Sequence, residues 1–204
     1  YDVIFIVDEV MAGGGRTGEF FAIRHFDVVP DIIAASKGIG SGYAPLGCII
    51  VSEKLFQTYR KGSGNFYNGF TYQGNPLACA VGLEVLKVFE EEGLIQNART
   101  MGNYLRERLE KLSKDHELIV DVRGKGLMIT LELQNNRLDD EIPLSRTLVG
   151  TAFENGLILF GGRLSEDSDF VMVAPPLIIK KEEADLLVEL LESAVRELEK
   201  KLSE

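Results

Sequence analysis

The sequence predicts an α/β domain with a mainly parallel sheet, followed by a smaller α+β domain. Three observations carry that expectation. Val3-Ile4-Phe5-Ile6-Val7 is a continuous apolar run without alternation, the pattern of a strand buried on both faces of a parallel sheet. The run ends in Asp8-Glu9, and the carboxyl end of a buried strand is where open α/β sheets keep their ligand-binding groups. Beyond Leu94 the pattern changes to amphipathic helices alternating with pairs of short strands. That change sets a domain boundary, with residues 1–93 in the first domain and 94–204 in the second.

The elements follow in order. A Gly-rich loop spans residues 12–18, residues 20–26 read as helical, and Pro30 ends that connection. Residues 31–35 form a second strand leading into the turn around Lys37, and the apolar residues 47–51 form a third. Ser52 is placed to cap a short helix over 53–59. Residues 61–69, rich in Gly and Asn, read as loop. A helix over 76–92 begins apolar and ends acidic. Residues 98–114 are amphipathic, with Met101, Leu105, Leu109 and Leu112 on one stripe. Strands over 118–122 and 127–133 are separated by Arg123-Gly124-Lys125-Gly126. A helix covers 144–155. Strands over 157–160 and 170–173 then flank a polar loop. The last helix, over 182–202, turns Leu187, Leu191, Ala194 and Leu198 inward.

The 204 residues suffice for one full domain or parts of two, and a 45% hydrophobic fraction can bury a core. With 32 acidic and 22 basic residues the net charge is -10. That balance argues against nucleic acid or an anionic membrane surface as partner, since both demand a basic face. No apolar run reaches the length of a membrane-spanning helix. Cys48 and Cys79 lie in apolar segments and read as small core residues of a protein in a reducing, cytoplasmic compartment. His25 and His116 are far apart, so no metal-site spacing appears. The chain opens at Tyr1-Asp2-Val3, without Met, directly into an expected strand. A natural N-terminus seldom starts inside a buried strand, whose backbone groups need partners. The chain therefore reads as the C-terminal part of a longer protein, and a targeting segment cannot be judged from it.

Lys37 sits in Ala35-Ser36-Lys37-Gly38-Ile39-Gly40-Ser41-Gly42. A lysine in so Gly-rich a turn is placed where backbone or ligand comes close and where its amine can lose its proton. Taken alone, it also reads as a surface lysine in a flexible turn. Asp8-Glu9 alone also describes a Walker B strand, but that reading needs a G-x-x-x-x-G-K-[ST] loop, which these residues lack. Together, acid and lysine are the equipment of pyridoxal phosphate chemistry: the lysine condenses with the cofactor aldehyde, and the acid pairs with the pyridine nitrogen. The loop Gly13-Gly14-Gly15-Arg16-Thr17-Gly18 shows the G-x-G-x-x-G spacing, but that spacing alone is a weak signal, and the loop is not read as a phosphate cradle. Arg16 reads as a brace for that loop, and Arg123 beside Gly124 as structural.

Asp8-Glu9-Val10 followed by Gly15-Arg16-Thr17-Gly18 is similar to a D-E-V-x-x-G-x-G-R-T-G block. Pro30-Asp31-Ile32, Ser36-Lys37-Gly38, Pro45-Leu46-Gly47, Thr71-Tyr72-Gln73-Gly74-Asn75-Pro76, Arg123-Gly124-Lys125-Gly126-Leu127 and Ala174-Pro175-Pro176-Leu177 continue the same order. Over almost its whole length the chain resembles class III (ornithine aminotransferase-like, omega-amino) pyridoxal phosphate aminotransferases. The resemblance implies an aspartate aminotransferase-type (fold type I) architecture: part of a large doubly wound domain, then a small α+β domain. It also implies pyridoxal 5'-phosphate as cofactor and a homodimer with active sites at the subunit interface. The implied activity is ping-pong transfer of an amino group from an amine or omega-amino acid to a keto acid. An aminomutase or a decarboxylase would share the site. A non-catalytic fragment acting through subunit association is an alternative of another class.

The resemblance also assigns roles. Lys37 matches the lysine that captures the cofactor and moves the substrate proton, and Asp8 matches the pyridinium partner. Val10, two residues after Asp8 and on the same side of an extended segment, matches the residue that packs on the cofactor ring; it also reads as a core valine. Thr71 matches the threonine that donates to the cofactor phosphate of the neighbouring subunit. A place just before a helix suits an anion, and equally suits a helix cap. Where the family commonly carries His before Gly69 and before Pro76, Asn68 and Asn75 stand here, and both keep hydrogen-bonding capacity. Family members that use 2-oxoglutarate carry an arginine two residues before Ala-Pro-Pro. Met172 stands there, so no such clamp is expected, and pyruvate becomes the expected acceptor. Arg163, in Gly161-Gly162-Arg163-Leu164-Ser165, is the alternative carboxylate anchor, since a guanidinium suits bidentate carboxylate binding. It reads equally as a solvated loop arginine.

Overall fold

The computed structural model describes residues 3–134, 143–165 and 168–203. Contacts divide the chain into two units, Tyr1–Ile95 and Gln96–Glu204. In the first, β1 (Ile6–Asp8), β2 (Ile32–Ala35) and β3 (Cys48–Val51) form a sheet in the order β1-β2-β3. β1 and β2 run parallel, with Asp8 opposite Ala34. β3 runs antiparallel to β2, an antiparallel member of the sheet expected to be mainly parallel. The connection 36–47 carries one short 3-10 turn and no helical crossover, so the chain doubles back instead of crossing over.

The strand expected over 3–7 pairs only from Ile6, and Tyr1 and Asp2 lie outside the described residues. It is not buried on both faces. Val3, Ile4, Phe5 and Ile6 are exposed, as are Ile49, Ile50 and Val51 of β3. Apolar strands of this kind need a layer on each face, and the described residues supply only part of those layers. For the same reason Cys48 and Cys79 are exposed free thiols, against the core placement expected for them. α1 (Glu53–Lys61) follows, and Ser52 occupies its N-cap position. The Ser52 hydroxyl makes no capping bond and has no partner among the described residues.

α2 (Pro76–Glu91) starts with proline in its first turn, where a missing N–H costs nothing. Its buried side carries Ala78, Gly82 and Phe89. A Cβ on Gly82 would stand 2.5 Å from Leu46 Cδ2, so the helix lies close to the loop after β2. The ring of Phe89 meets Phe20 edge-to-face at 5.9 Å, and a Cβ on Gly15 would stand 2.6 Å from Phe89 Cε1. The Gly-rich loop and the Lys37 turn are thus both seated against α2.

The second unit is built on a four-stranded antiparallel sheet of order β4-β5-β7-β6: β4 (Ile119–Lys125), β5 (Met128–Leu133), β6 (Phe160–Ser165) and β7 (Ser168–Val173). α3 (Leu94–Asp115), α4 (Leu144–Glu154) and α5 (Lys181–Ser203) complete it. Alternation along β5 and β7 buries Ile129, Leu131, Leu133, Val171 and Val173. The expected stripe of α3, Met101, Leu105, Leu109 and Leu112, is buried with them, as are Leu187, Leu191, Ala194 and Leu198 of α5. Each fully buried side chain of this size contributes about 1.5–3 kcal/mol before the cost of ordering it.

Several element bounds differ from the sequence reading: the helix expected over 20–26 is a 3-10 turn over Ala22–His25, and the strand expected over 157–160 starts only at Phe160. Arg123-Gly124-Lys125 continue β4 instead of forming the turn, which contracts to Gly126-Leu127 with Gly126 at φ 55. The residues after 160, expected as a polar loop, form the β6–β7 hairpin, with Arg163 opposite Asp169. Glu166 and Asp167, from the same expected loop, lie outside the described residues. β6 is one of the two edge strands of this sheet, and an edge tolerates the polar side chains that made the segment look like loop.

Candidate active site

The parallel pairing of β1 and β2 brings two chemically distinct groups to one end of the sheet. Asp8 closes β1, and Lys37 follows β2 after a single intervening residue, Ser36. The Asp8 side chain is locally ordered: Oδ1 accepts from Val10 N at 2.9 Å. Lys37 begins a short 3-10 turn, Lys37–Ile39, with its backbone at φ 44. That left-handed conformation costs a non-glycine residue about 1–2 kcal/mol. The turn is held on several sides. Ser36 Oγ donates to Leu46 O at 2.9 Å, Gly40 N donates to Lys37 O at 3.1 Å, and a Cβ on Gly38 would stand 3.2 Å from Gly14 Cα. Strain of this kind persists where the surroundings over-determine it, and it clusters at active sites.

Val10 lies in the turn after β1 and not in an extended segment. The strand alternation that would put it on the Asp8 side therefore does not apply; its N–H folds back onto the Asp8 carboxylate instead. Thr71 is exposed, in the turn 71–74 before α2. The helix cap is Asn75, whose Oδ1 accepts from Leu77 N at 3.0 Å and Ala78 N at 3.1 Å. Thr71 is thus free of the capping role, which Asn75 fills at the first N–H groups of α2. Arg163 sits in β6, with Nε 3.4 Å from Oδ1 of the buried Asp169. Oδ2 of Asp169 accepts from Ser145 N at 3.0 Å.

Two carboxylates that the sequence reading passed over hold these segments together. Glu9 is buried, and its oxygens accept from Ala22 N at 2.9 Å and Ile23 N at 2.7 Å. Asp169 occupies an inward position of β7, in line with Val171 and Val173. For Asp169 the signal was alternation with Val171 and Val173 along β7; Glu9 lies past the end of β1, and no sequence pattern marked it. The structural readings of two arginines agree with their surroundings. Arg16 is largely buried, which pulls its guanidinium below the usual arginine range. Arg123 Nη1 bridges Asp121 at 2.5 Å and Glu132 at 2.6 Å.

Residues 1–195 match the family described as aminotransferase class-III. The chain belongs to that family. It is 36% identical over 206 residues to the diaminobutyrate–2-oxoglutarate transaminase of Halomonas elongata, covering 97% of this chain and 43% of that protein. It is 37% identical over 196 residues to the putrescine–pyruvate aminotransferase of Pseudomonas aeruginosa, covering 93% of this chain and 41% of that one. A solved amine transaminase from an uncultivated Pseudomonas species, in its PLP-bound form, superposes with a TM-score of 0.87 at 33% identity, covering 96% of this chain and 45% of that chain. The class III chain described here thus spans less than half the length of these relatives. Its fold is that of part of a fold-type-I pyridoxal phosphate transaminase.

The cofactor of the family is pyridoxal 5'-phosphate, and the donor set at the end of β1 and β2 fits it. A carboxylate suits a protonated ring nitrogen, and a primary amine on a constrained turn suits an aldehyde. Among the described residues no group of His, Cys, Asp and Glu gathers as metal ligands, and no helix is long and apolar enough to cross a membrane.

Proposed function

We propose that this chain is the lysine-bearing, C-terminal part of an aminotransferase that moves an amino group from an amine or omega-amino acid to a keto acid, with pyruvate as acceptor. The observation that carries the reading is the parallel β1–β2 pair, with Asp8 and the strained Lys37 at one end. In this reading residues 1–93 belong to the large cofactor-binding domain and 94–204 to the small domain. The working form is a cytoplasmic homodimer. When bound, pyridoxal phosphate supplies an aldehyde for covalent capture of amines and a sink for the electron pair left by Cα deprotonation. Asp8 holds the proton on the ring nitrogen. Val10 packs against the ring, and the Thr71 hydroxyl donates to the phosphate of the neighbouring subunit. Lys37 Nζ takes the substrate Cα proton and returns it, as a positioned general base and acid. The pyruvate in the name of the Pseudomonas aeruginosa relative supports that acceptor, and Met172 in place of an arginine agrees with it.

The direct test uses the longest native polypeptide that carries this sequence. Pyridoxal phosphate is added, borohydride reduces whatever has formed, and the peptides are mapped. A stable adduct confined to Lys37 is the expected result; an adduct elsewhere, or none, overturns the assignment.

Arg163 is the substrate-carboxylate anchor of this proposal. Its side chain is 41% exposed despite the pairing with Asp169, which leaves guanidinium N–H groups to offer. Losing a charge-assisted contact of about 1.5–3 kcal/mol raises KM for the keto acid about tenfold or more in Arg163→Ala. The amine half-reaction stays near the parent rate. Unchanged keto-acid kinetics would leave Arg163 as the partner of Asp169 alone.

A further inference from the structure

We propose that Glu9 is a positioning residue for Lys37. Its buried carboxylate closes the Gly-rich loop, and that loop clamps the Lys37 turn through a glycine-on-glycine contact. The proposal rests on the assignment of Lys37 made above and adds a residue to it.

Glu9 is 1% exposed, an unusual place for a carboxylate unless its oxygens are satisfied. Both are satisfied, and by backbone: Oε1 accepts from Ile23 N and Oε2 from Ala22 N, the first N–H groups of the 3-10 turn Ala22–His25. Phe21, at the cap position of that turn, offers no side-chain bond, so Glu9 acts as the cap from a distance in sequence. The Glu9 backbone works in two further directions. Its N–H donates to Ala34 O in β2 at 2.8 Å, and its carbonyl accepts from Gly13 N at 3.0 Å. One residue therefore ties together the start of the loop, the end of the loop and the strand that leads to Lys37.

The contact is then relayed by backbone alone. A Cβ on Gly13 would stand 2.6 Å from Glu9 O and 3.1 Å from Glu9 Cβ, so Gly13 fits only as glycine against Glu9. Gly14, at φ 62, lies directly on the Lys37 turn: a Cβ there would stand 3.0 Å from Gly38 Cα. Gly38 is the residue after Lys37, whose φ of 44 needs external support. The Glu9 carbonyl holds Gly13 at one end of the segment and the Glu9 carboxylate holds Ala22 and Ile23 at the other; Gly14, between them, packs on Gly38 and so sets the direction in which Lys37 leaves the backbone.

Glu9→Gln tests this with little change of volume. Glutamine keeps one acceptor oxygen and turns an NH2 toward a backbone N–H, donor against donor. Gly38→Ala is the second variant. It leaves every Glu9 bond in place and intrudes only on the Gly14 contact. Two readouts are taken on the longest native polypeptide carrying the sequence. One is the rate of Lys37 adduct formation with pyridoxal phosphate, trapped with borohydride and mapped. The other, on protein without cofactor, is the rate of acetylation of Lys37 Nζ by acetic anhydride at one fixed pH, with Lys61 as internal reference. Loosening a backbone held in this way slows Lys37 adduct formation about tenfold in each variant. The acetylation rate of Lys37 relative to Lys61 changes, and the double variant is no slower than the slower single. A Lys37 adduct in the parent protein, with both variants at the parent adduct and acetylation rates, overturns the role of Glu9 alone. No Lys37 adduct in the parent overturns the assignment of Lys37 and this proposal with it. If Glu9→Gln does not fold, Gly38→Ala decides: a slowed Lys37 supports the clamp, and a parent-like Lys37 overturns it.

Discussion

Lys37→Ala abolishes covalent capture of pyridoxal phosphate and lowers amino transfer by about 10²–10⁴-fold, the range contributed by a positioned proton-transfer group. The next lysines along the chain, Lys54 and Lys61, lie on or at the end of α1, beyond β3. The same position makes an opposite prediction for stability. Alanine at φ 44 keeps the strain that lysine bears there, whereas glycine removes it. Lys37→Gly is therefore more stable than Lys37→Ala by about 1–2 kcal/mol, and both lose turnover to the same extent. Thermal unfolding of the two variants, beside a turnover assay, separates the effects. A Lys37→Ala protein within tenfold of parent turnover would sink the catalytic assignment. Equal stability of the two variants would mean that the Lys37 backbone is not strained.

The sequence was most legible where one physical rule decided the outcome. The 3.6-residue stripe of α3 and the apolar periodicity of α5 needed only a core to face, and both face one. The place of Asp8 at a strand end and of Lys37 in a turn was legible because strand ends and Gly-rich segments mark themselves. What depends on neighbours was not legible. Whether β3 runs with or against β2 is set by the path of residues 36–47. The strand pairing of Arg163 depends on a partner, β7, whose inward residue is an aspartate. Glu9 looked like half of an acidic pair, and its burial became visible only once Ala22 and Ile23 came back to meet it. Thr71 looked like a cap or a phosphate ligand, and Asn75 took the first of those roles. The exposed apolar strands of the first unit mark the limit of this kind of reading: hydrophobicity predicts that a surface is to be covered but does not say by which residues.

Gly102→Ala destabilises the second unit by about 2 kcal/mol, although alanine is the better helix former by about 1 kcal/mol. The sign is decided by what lies opposite. Gly102 is in α3, and an ideal Cβ there would stand 2.3 Å from both C and O of Gly126, where real Cβ atoms do not come closer than 3.0 Å. Both sides of the contact are backbone, and Gly126 is itself held at φ 55 in the β4–β5 turn. No side chain can rotate away. The helix and the hairpin must separate by most of an ångström, and Leu105 and Leu127, both fully buried, lose packing on each side of the gap. Close-packed interiors yield poorly to such a shift, so overpacking costs about 1–3 kcal/mol and more when backbone must move. Gly150 is the control. It is exposed in α4 with nothing within 4 Å of an added Cβ, so Gly150→Ala keeps the helix gain of about 1 kcal/mol and pushes nothing aside. Denaturant midpoints at constant m-value read both changes. The two glycine-to-alanine substitutions move the midpoint in opposite directions if α3 lies on the Gly126 turn, and in the same direction if it does not.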